Sequence, residues 1–221
     1  MKKIVLILLS LVMVFSMAAC GQNGENNKPD DNGKNNTTVT ATPEEIEQKI
    51  ADAIGKDNYL CDTAIEKNWL EGYFGFDMSK VEAYAAKQNS ISSVNPDTVI
   101  ILKVKDGYTK EAAEKLNTAF AQMVNYIRQY PFGTAKVMNA RIYQSGNYVM
   151  YILTGASYDG EDAEAEAKLA NSEYAKIDEA IKSVFGTLPE NLAVVPEDNG
   201  NSGGLVDPDS SNDDDMPIIG G

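Results

Sequence analysis

From Thr42 onward the apolar residues recur at two different periods, and the changes of period divide the chain into helices and strands. Ile46, Ile50, Ala53 and Ile54 share one helical face. Thr42 as N-cap, Pro43 in the first turn and Glu45 three residues after the cap make a capping box at its start, and Gly55 ends it. Residues 65–86 are less regular and read as two short helices broken at Gly75-Phe76-Asp77, with Asp77 capping the second. Asn95-Pro96-Asp97 marks a turn. From Thr98 to Lys105 the period drops to two: Ile100, Leu102 and Val104 form one face, while Val99 and Ile101 give way to Lys103 and Lys105 on the other. Thr109 then caps a long helix in which Ala113, Leu116, Phe120, Met123 and Ile127 repeat at helical spacing, and Pro131 forbids its continuation. Residues 134–143 and 147–154, rich in β-branched and aromatic types around Ser145-Gly146, predict a hairpin. The last helix follows Asp159-Gly160, turns Ala170, Tyr174, Ile177, Ile181 and Val184 inward, and stops at Gly186.

With Ser90 to Val94 pairing with the strand from Thr98, the core order is ββαββα. Paired strands alternating with long amphipathic helices predict an α+β two-layer sandwich, a small antiparallel sheet with the long helices on one face, preceded by N-terminal helices.

The flanks lack this periodicity. Met1, Lys2 and Lys3 precede an unbroken apolar run from Ile4 to Phe15, then Ser16-Met17-Ala18-Ala19 and Cys20. The run is shorter than the ~20 residues of a spanning helix and ends on small residues that a signal peptidase accommodates, which is the layout of a lipoprotein signal peptide over residues 1–19. Cleavage would free the Cys20 thiol for diacylglycerol transfer, with palmitate among the acyl groups expected on the anchor. Met17 replaces the usual Leu three residues before that cysteine. Residues 20–41, rich in Asn, Gly and Asp, read as the lipidated Cys20 and a solvated linker with an end-to-end distance of roughly 25 Å. Residues 187–221 carry eight carboxylates and no Lys or Arg, and read as an acidic disordered tail. One domain, 42–186, lies between them, of the usual size for a single core.

Charge and composition narrow the chemistry. The formal net charge is −14 and becomes −16 once Lys2 and Lys3 leave with the signal, and the chain has two arginines, Arg128 and Arg141. Nucleic acid is therefore an unsuitable partner. The absence of histidine removes imidazole-based triads and the commonest transition-metal ligand sets, so neither a metal nor another cofactor is expected. With Cys20 acylated, Cys61 has no intrachain disulfide partner and no imidazole to activate it, and reads as a packing thiol.

Several local strings fit a known family: Tyr73-Phe74-Gly75 followed by Asp77, Asp97-Thr98-Val99-Ile100-Ile101, Gln129-Tyr130-Pro131, and Gly146-Asn147-Tyr148-Val149. Across residues 42–186 the chain resembles the lipoproteins of domain of unknown function family 4358, common in Gram-positive anaerobes of the clostridial kind. The resemblance implies a fold and a lipid-anchored place on the extracytoplasmic face of the cell membrane. The family has no assigned activity, so it supplies no catalytic residues.

Candidate sites remain. Trp69, Tyr73, Phe74 and Phe76 form an aromatic group able to stack a sugar or a peptide, and equally able to fill a core between short helices. Tyr126, Tyr130 and Phe132 beside Arg128 form a second group at a helix end. The pairs Glu44-Glu45 and Glu161-Asp162 offer two carboxylates, but each sits in the first turn of a helix, where the helix dipole favours negative charge. In Asp207 to Asp213 a calcium loop is spoiled by Asn212 and Ile218. The expectation is a non-enzymatic binding or accessory module, held to the membrane by lipid, whose partner is an envelope protein or polysaccharide. The alternatives are an envelope hydrolase or acyl-transfer accessory using carboxylates, and a small solute-binding lipoprotein.

Overall fold

The computed structural model describes residues 39–91, 95–131 and 133–198. The signal peptide, Cys20, most of the linker, Phe132 and residues 199–221 lie outside the described residues.

Thr42 builds the expected capping box: its hydroxyl accepts from Glu45 N–H at 3.2 Å and its own N–H donates to Glu45 Oε2 at 2.8 Å. Helix α1 (Pro43–Ile54) follows, burying Ile46, Ile50 and Ile54. Next come a two-residue strand β1 (Thr63–Ala64), helix α2 (Lys67–Gly72) and a single 3-10 turn at Met78–Lys80. Asp77 caps that turn, accepting from Ser79 N–H at 3.1 Å. The remaining elements are β2 (Val81–Gln88), β3 (Thr98–Val104), α3 (Thr109–Gln129), α4 (Thr134–Met138), β4 (Arg141–Ser145), β5 (Tyr148–Leu153) and α5 (Ala163–Phe185). The strands form one antiparallel sheet in the order β1-β2-β3-β5-β4. The fold is α+β, and its core sequence β2β3α3β4β5α5 has the expected ββαββα order.

Four local expectations are corrected. Residues 81–88 are a strand and not the body of a second helix. Most of Val81-Glu-Ala-Tyr-Ala-Ala-Lys-Gln88 favours a helix, but β3 pairs with it from Val81↔Val104 to Gln88↔Thr98 with one register shift between Val81 and Ala83, and tertiary pairing overrides local propensity. The partner of β3 on this side is thus β2, and residues 92–94 of the expected strand Ser90–Val94 lie outside the described residues. Residues 134–138 are helical, so the hairpin strand begins at Arg141. The cap of α3 is Tyr108, without a side-chain hydrogen bond to the helix, and not Thr109.

The fourth correction concerns layers. Ile100, Leu102, Val104, Ile142, Val149, Tyr151 and Leu153 pack beneath α2, α3 and α4, whereas Val99, Ile101, Tyr143, Met150 and Ile152 pack beneath α1 and α5. Helices therefore cover both faces of the sheet, and the long helices α3 and α5 lie on opposite sides. All six residues of β5 are buried, as expected for a strand covered on both sides. Lys103, which suggested a wet face, sits near the end of β3 with its ammonium 5.8 Å from the Tyr148 ring.

The domain also extends past residue 186. Leu192 N–H donates to Ile142 O at 2.8 Å, and Asn191 brackets β4 by accepting from Ile142 N–H and donating to Ala140 O. Asn117 of α3 grips the same segment, donating to Leu192 O and accepting from Val194 N–H. Arg128 holds its end through Pro196 O at 2.7 Å and Glu197 O at 3.3 Å. Of the expected acidic tail, residues 187–198 are thus part of the folded domain, running along the edge of β4.

Candidate functional site

Helix α2 is only six residues long and is anchored by one fully buried side chain, Leu70. With Leu70 inward, Trp69 and Tyr73, four residues apart, share a face that points outward. Their rings stack at 5.4 Å with planes 10° apart, and they are 51% and 52% exposed. Tyr73 meets Phe74 edge-on at 5.0 Å, and Phe74 stacks on Phe76 at 5.8 Å. The left-handed backbone of Gly75 (φ +72°) makes the turn that sends both phenylalanines inward. The four expected patch residues therefore form one continuous run of rings but divide in role: Phe74 and Phe76 belong to the core, and Trp69 and Tyr73 to the surface.

The exposed pair borders a cleft of about 390 Å³, within the range of small-ligand sites. Trp69, Tyr73 and Phe74 make one wall. Ala119, Gln122, Met123 and Tyr126 of α3 make the other. Gln88, Pro96 and Thr98 close one end, and Tyr151 of β5 lies at the bottom. Tyr126 comes from the second aromatic group, and its ring contacts Tyr130 at 5.1 Å. The fold thus gathers aromatic residues that stand more than fifty positions apart in the chain.

Sequence reasoning missed Tyr151. It is 3% exposed and packs beside Phe120, with ring centroids 6.4 Å apart. Burial pushes its phenol pKa well above the usual value, with Tyr73 adding to the shift. Its hydroxyl makes no hydrogen bond to another described residue, and because no buried side-chain polar atom among them lacks a partner, that oxygen opens to the cleft. The side-chain amides of Gln88 and Gln122 are equally uncommitted. The signal that could have found Tyr151 is alternation along β5, which puts it on the same face as Val149 and Leu153.

A second polar centre lies at the other extreme. Asp97, completely buried, accepts from Lys136 Nζ at 2.5 Å and from Thr154 Oγ1 at 3.2 Å, while Lys136 also donates to Gly155 O at 3.3 Å. Burial raises the Asp97 pKa, and the Lys136 ammonium opposes that shift. Cys61 lies close by, 3% exposed, its thiol pushed up to about 12 by burial and by the Asp97 charge. Such a thiol is protonated at neutral pH and is no nucleophile.

The other buried carboxylates are spoken for as well. Glu47 accepts from Tyr59 OH and from Lys87 Nζ, the latter at 3.1 Å, and Glu173 pairs with Lys176 Nζ at 2.5 Å. Of the carboxylate pairs considered from sequence, Glu45 is used in the α1 capping box. Asp162 caps α5 by accepting from Glu164 N–H at 2.9 Å. No group of acidic or cysteine side chains able to hold a metal ion occurs among the described residues.

Residues 55–154 match a family model described as Domain of unknown function (DUF4358). No curated protein and no solved structure matches the chain. The matched region contains every described residue that lines the cleft and excludes α1 and α5, the helices that cover the opposite face.

Proposed function

Taking residues 55–154 as a DUF4358 domain, we propose that the protein is a non-enzymatic binding module of the cell envelope, tethered by lipid on Cys20, with the α2/α3 cleft as its site. The observation that carries this reading is the stacked Trp69–Tyr73 pair, half exposed at the rim of a preformed cleft. Large aromatic side chains held rigidly in the open cost little entropy on binding and bury much area, which is why they dominate recognition sites.

A non-catalytic role is supported by where the reactive groups are spent. Asp97, Glu47 and Glu173 are engaged by lysines, and the Cys61 thiol is held protonated. Membrane attachment through lipid rests on the arrangement of residues 1–20, and no helix among the described residues is long and apolar enough to cross a membrane. Crosslinking the lipidated chain in its native membrane, followed by recovery, tests the reading. Wild type should retain an envelope protein or polysaccharide that Trp69→Ala loses. Equal recovery by both chains would refute the cleft as the site.

A further inference from the structure

The lining of the cleft defines the class of ligand, and this step rests on the cleft being the binding site. Three features of the lining bear on it. Among the described residues no charged side chain lines the cleft, and the chain as a whole carries a net charge of −14, so neither a carboxylate nor a phosphate finds a counter-charge there. The rim offers a broad aromatic surface, the Trp69–Tyr73 stack facing Tyr126 across the opening. The lining also holds the Tyr151 hydroxyl, the half-buried Gln88 carboxamide and the exposed Gln122 carboxamide, none of them hydrogen-bonded to another described residue. An acyl chain would satisfy the rings and set hydrocarbon against the Tyr151 hydroxyl and the Gln88 and Gln122 carboxamides. An ion would satisfy some of the polar groups and meet no opposite charge.

We propose that the cleft binds one uncharged sugar unit of a polysaccharide. The C–H face of the sugar lies against Trp69 and Tyr73, and its hydroxyl or acetamido groups pair with Tyr151, Gln88 and Gln122. A pyranose is the ligand whose two sides differ in the way the cleft does, apolar across the ring face and hydrogen-bonding around the edge. Carboxamides donate and accept, as does the phenol, so they suit hydroxyls that do both.

Trp69 is the single tryptophan of the chain, so its emission reports occupation of the cleft directly. The purified full chain is titrated with four probes: glucose oligomers, N-acetylglucosamine oligomers, the glucose oligomers oxidised to carboxylates at C6, and decanol. At least one neutral oligomer should give a saturable change in emission. The oxidised oligomer should bind at least about tenfold more weakly than its neutral parent, and decanol should not saturate. Tyr151→Phe should weaken neutral binding about tenfold, the size of one lost hydrogen bond at 1.4 kcal/mol per decade. Gln122→Ala, at an exposed position of α3, provides the same test if the first variant folds poorly. Absence of saturation by both neutral oligomers, equal binding of the oxidised probe, or saturation by decanol would each overturn the sugar assignment. If neutral sugars fail while Trp69→Ala still loses the crosslinked partner, the cleft stands as the site and only its ligand class falls.

Discussion

The Asp97–Lys136 centre and the α2/α3 cleft both gather polar side chains on the same sheet, yet they treat them in opposite ways. Around Asp97 every polar group is engaged: the carboxylate has Lys136 and Thr154, and the ammonium has Asp97 and Gly155 O. In the cleft the Tyr151 hydroxyl and the carboxamides of Gln88 and Gln122 have no hydrogen-bond partner among the described residues. A buried polar group that folding satisfies serves the fold. One that opens to a cleft without a partner among the described residues is free to pair with a ligand. The contrast separates structure from function here better than exposure or aromatic content does.

The largest expected effect is at the satisfied centre. Asp97→Asn leaves the Lys136 charge buried without a counter-charge and should cost about 3–5 kcal/mol in denaturant unfolding. Replacing both Asp97 and Lys136 by apolar residues of similar volume should recover most of that loss. Recovery of the crosslinked partner by the folded fraction should not change in either variant.

Next come the rings. Phe74→Ala or Phe76→Ala empties a core position and should cost about 3–5 kcal/mol. Trp69→Ala and Tyr73→Ala, at half-exposed positions, should cost less than about 1 kcal/mol and abolish partner recovery. Equal destabilisation at all four positions would erase the division between core and site drawn along this run.

Smaller effects follow at the edges of the domain. A chain cut after residue 198 should be as stable as the full one, whereas a cut after 186 removes the Asn191 and Leu192 bonds to β4 and should lose about 1–3 kcal/mol. Thermal or urea unfolding of the two truncations measures the difference. Smallest is the effect of alkali on Cys61. Its thiol pKa is raised by folding, so the contribution it makes is complete below about pH 8.5, its unfolded value, and falls as pH climbs towards about 12. Native protein should therefore resist alkylation at about pH 8.5, and the same reagent should label it rapidly in denaturant.

Much of this architecture is legible in the chain, and the exceptions have physical causes. α1 announces itself because a period, a cap and a stop coincide in Thr42, Pro43, Glu45 and Gly55, α5 by its period and the stop at Gly186, and β3 by its period of two after the Asn95-Pro96-Asp97 turn. β2 does not, because its alanines and glutamate favour a helix and only the backbone of β3 makes it a strand. Covering of both sheet faces is foreshadowed by the nearly continuous apolar runs of β3 and β5, but Lys103 and Lys105 obscure it. Residues 187–198 escape notice because Asn117, Arg128 and Asn191 fasten them with amides and a guanidinium, which hydrophobic periodicity does not register. At the site, Trp69 and Tyr73 stand out from sequence as large aromatics in a short helix. Their meeting with Tyr126 above Tyr151 is a product of α2 and α3 packing on one sheet face, and no spacing along the chain encodes it.

The measurement that tests the contrast most directly is a paired one on Tyr151→Phe, which removes a single oxygen and leaves the packing intact. Unfolding free energy and partner recovery are read on the same preparation. If the hydroxyl is kept for a ligand, the variant should be as stable as wild type, because an oxygen that opens to the cleft and has no partner among the described residues adds nothing to the fold, and partner recovery should fall. A variant destabilised by more than about 1 kcal/mol that recovers its partner normally would contradict the account, for the hydroxyl would then serve the fold as Asp97 does.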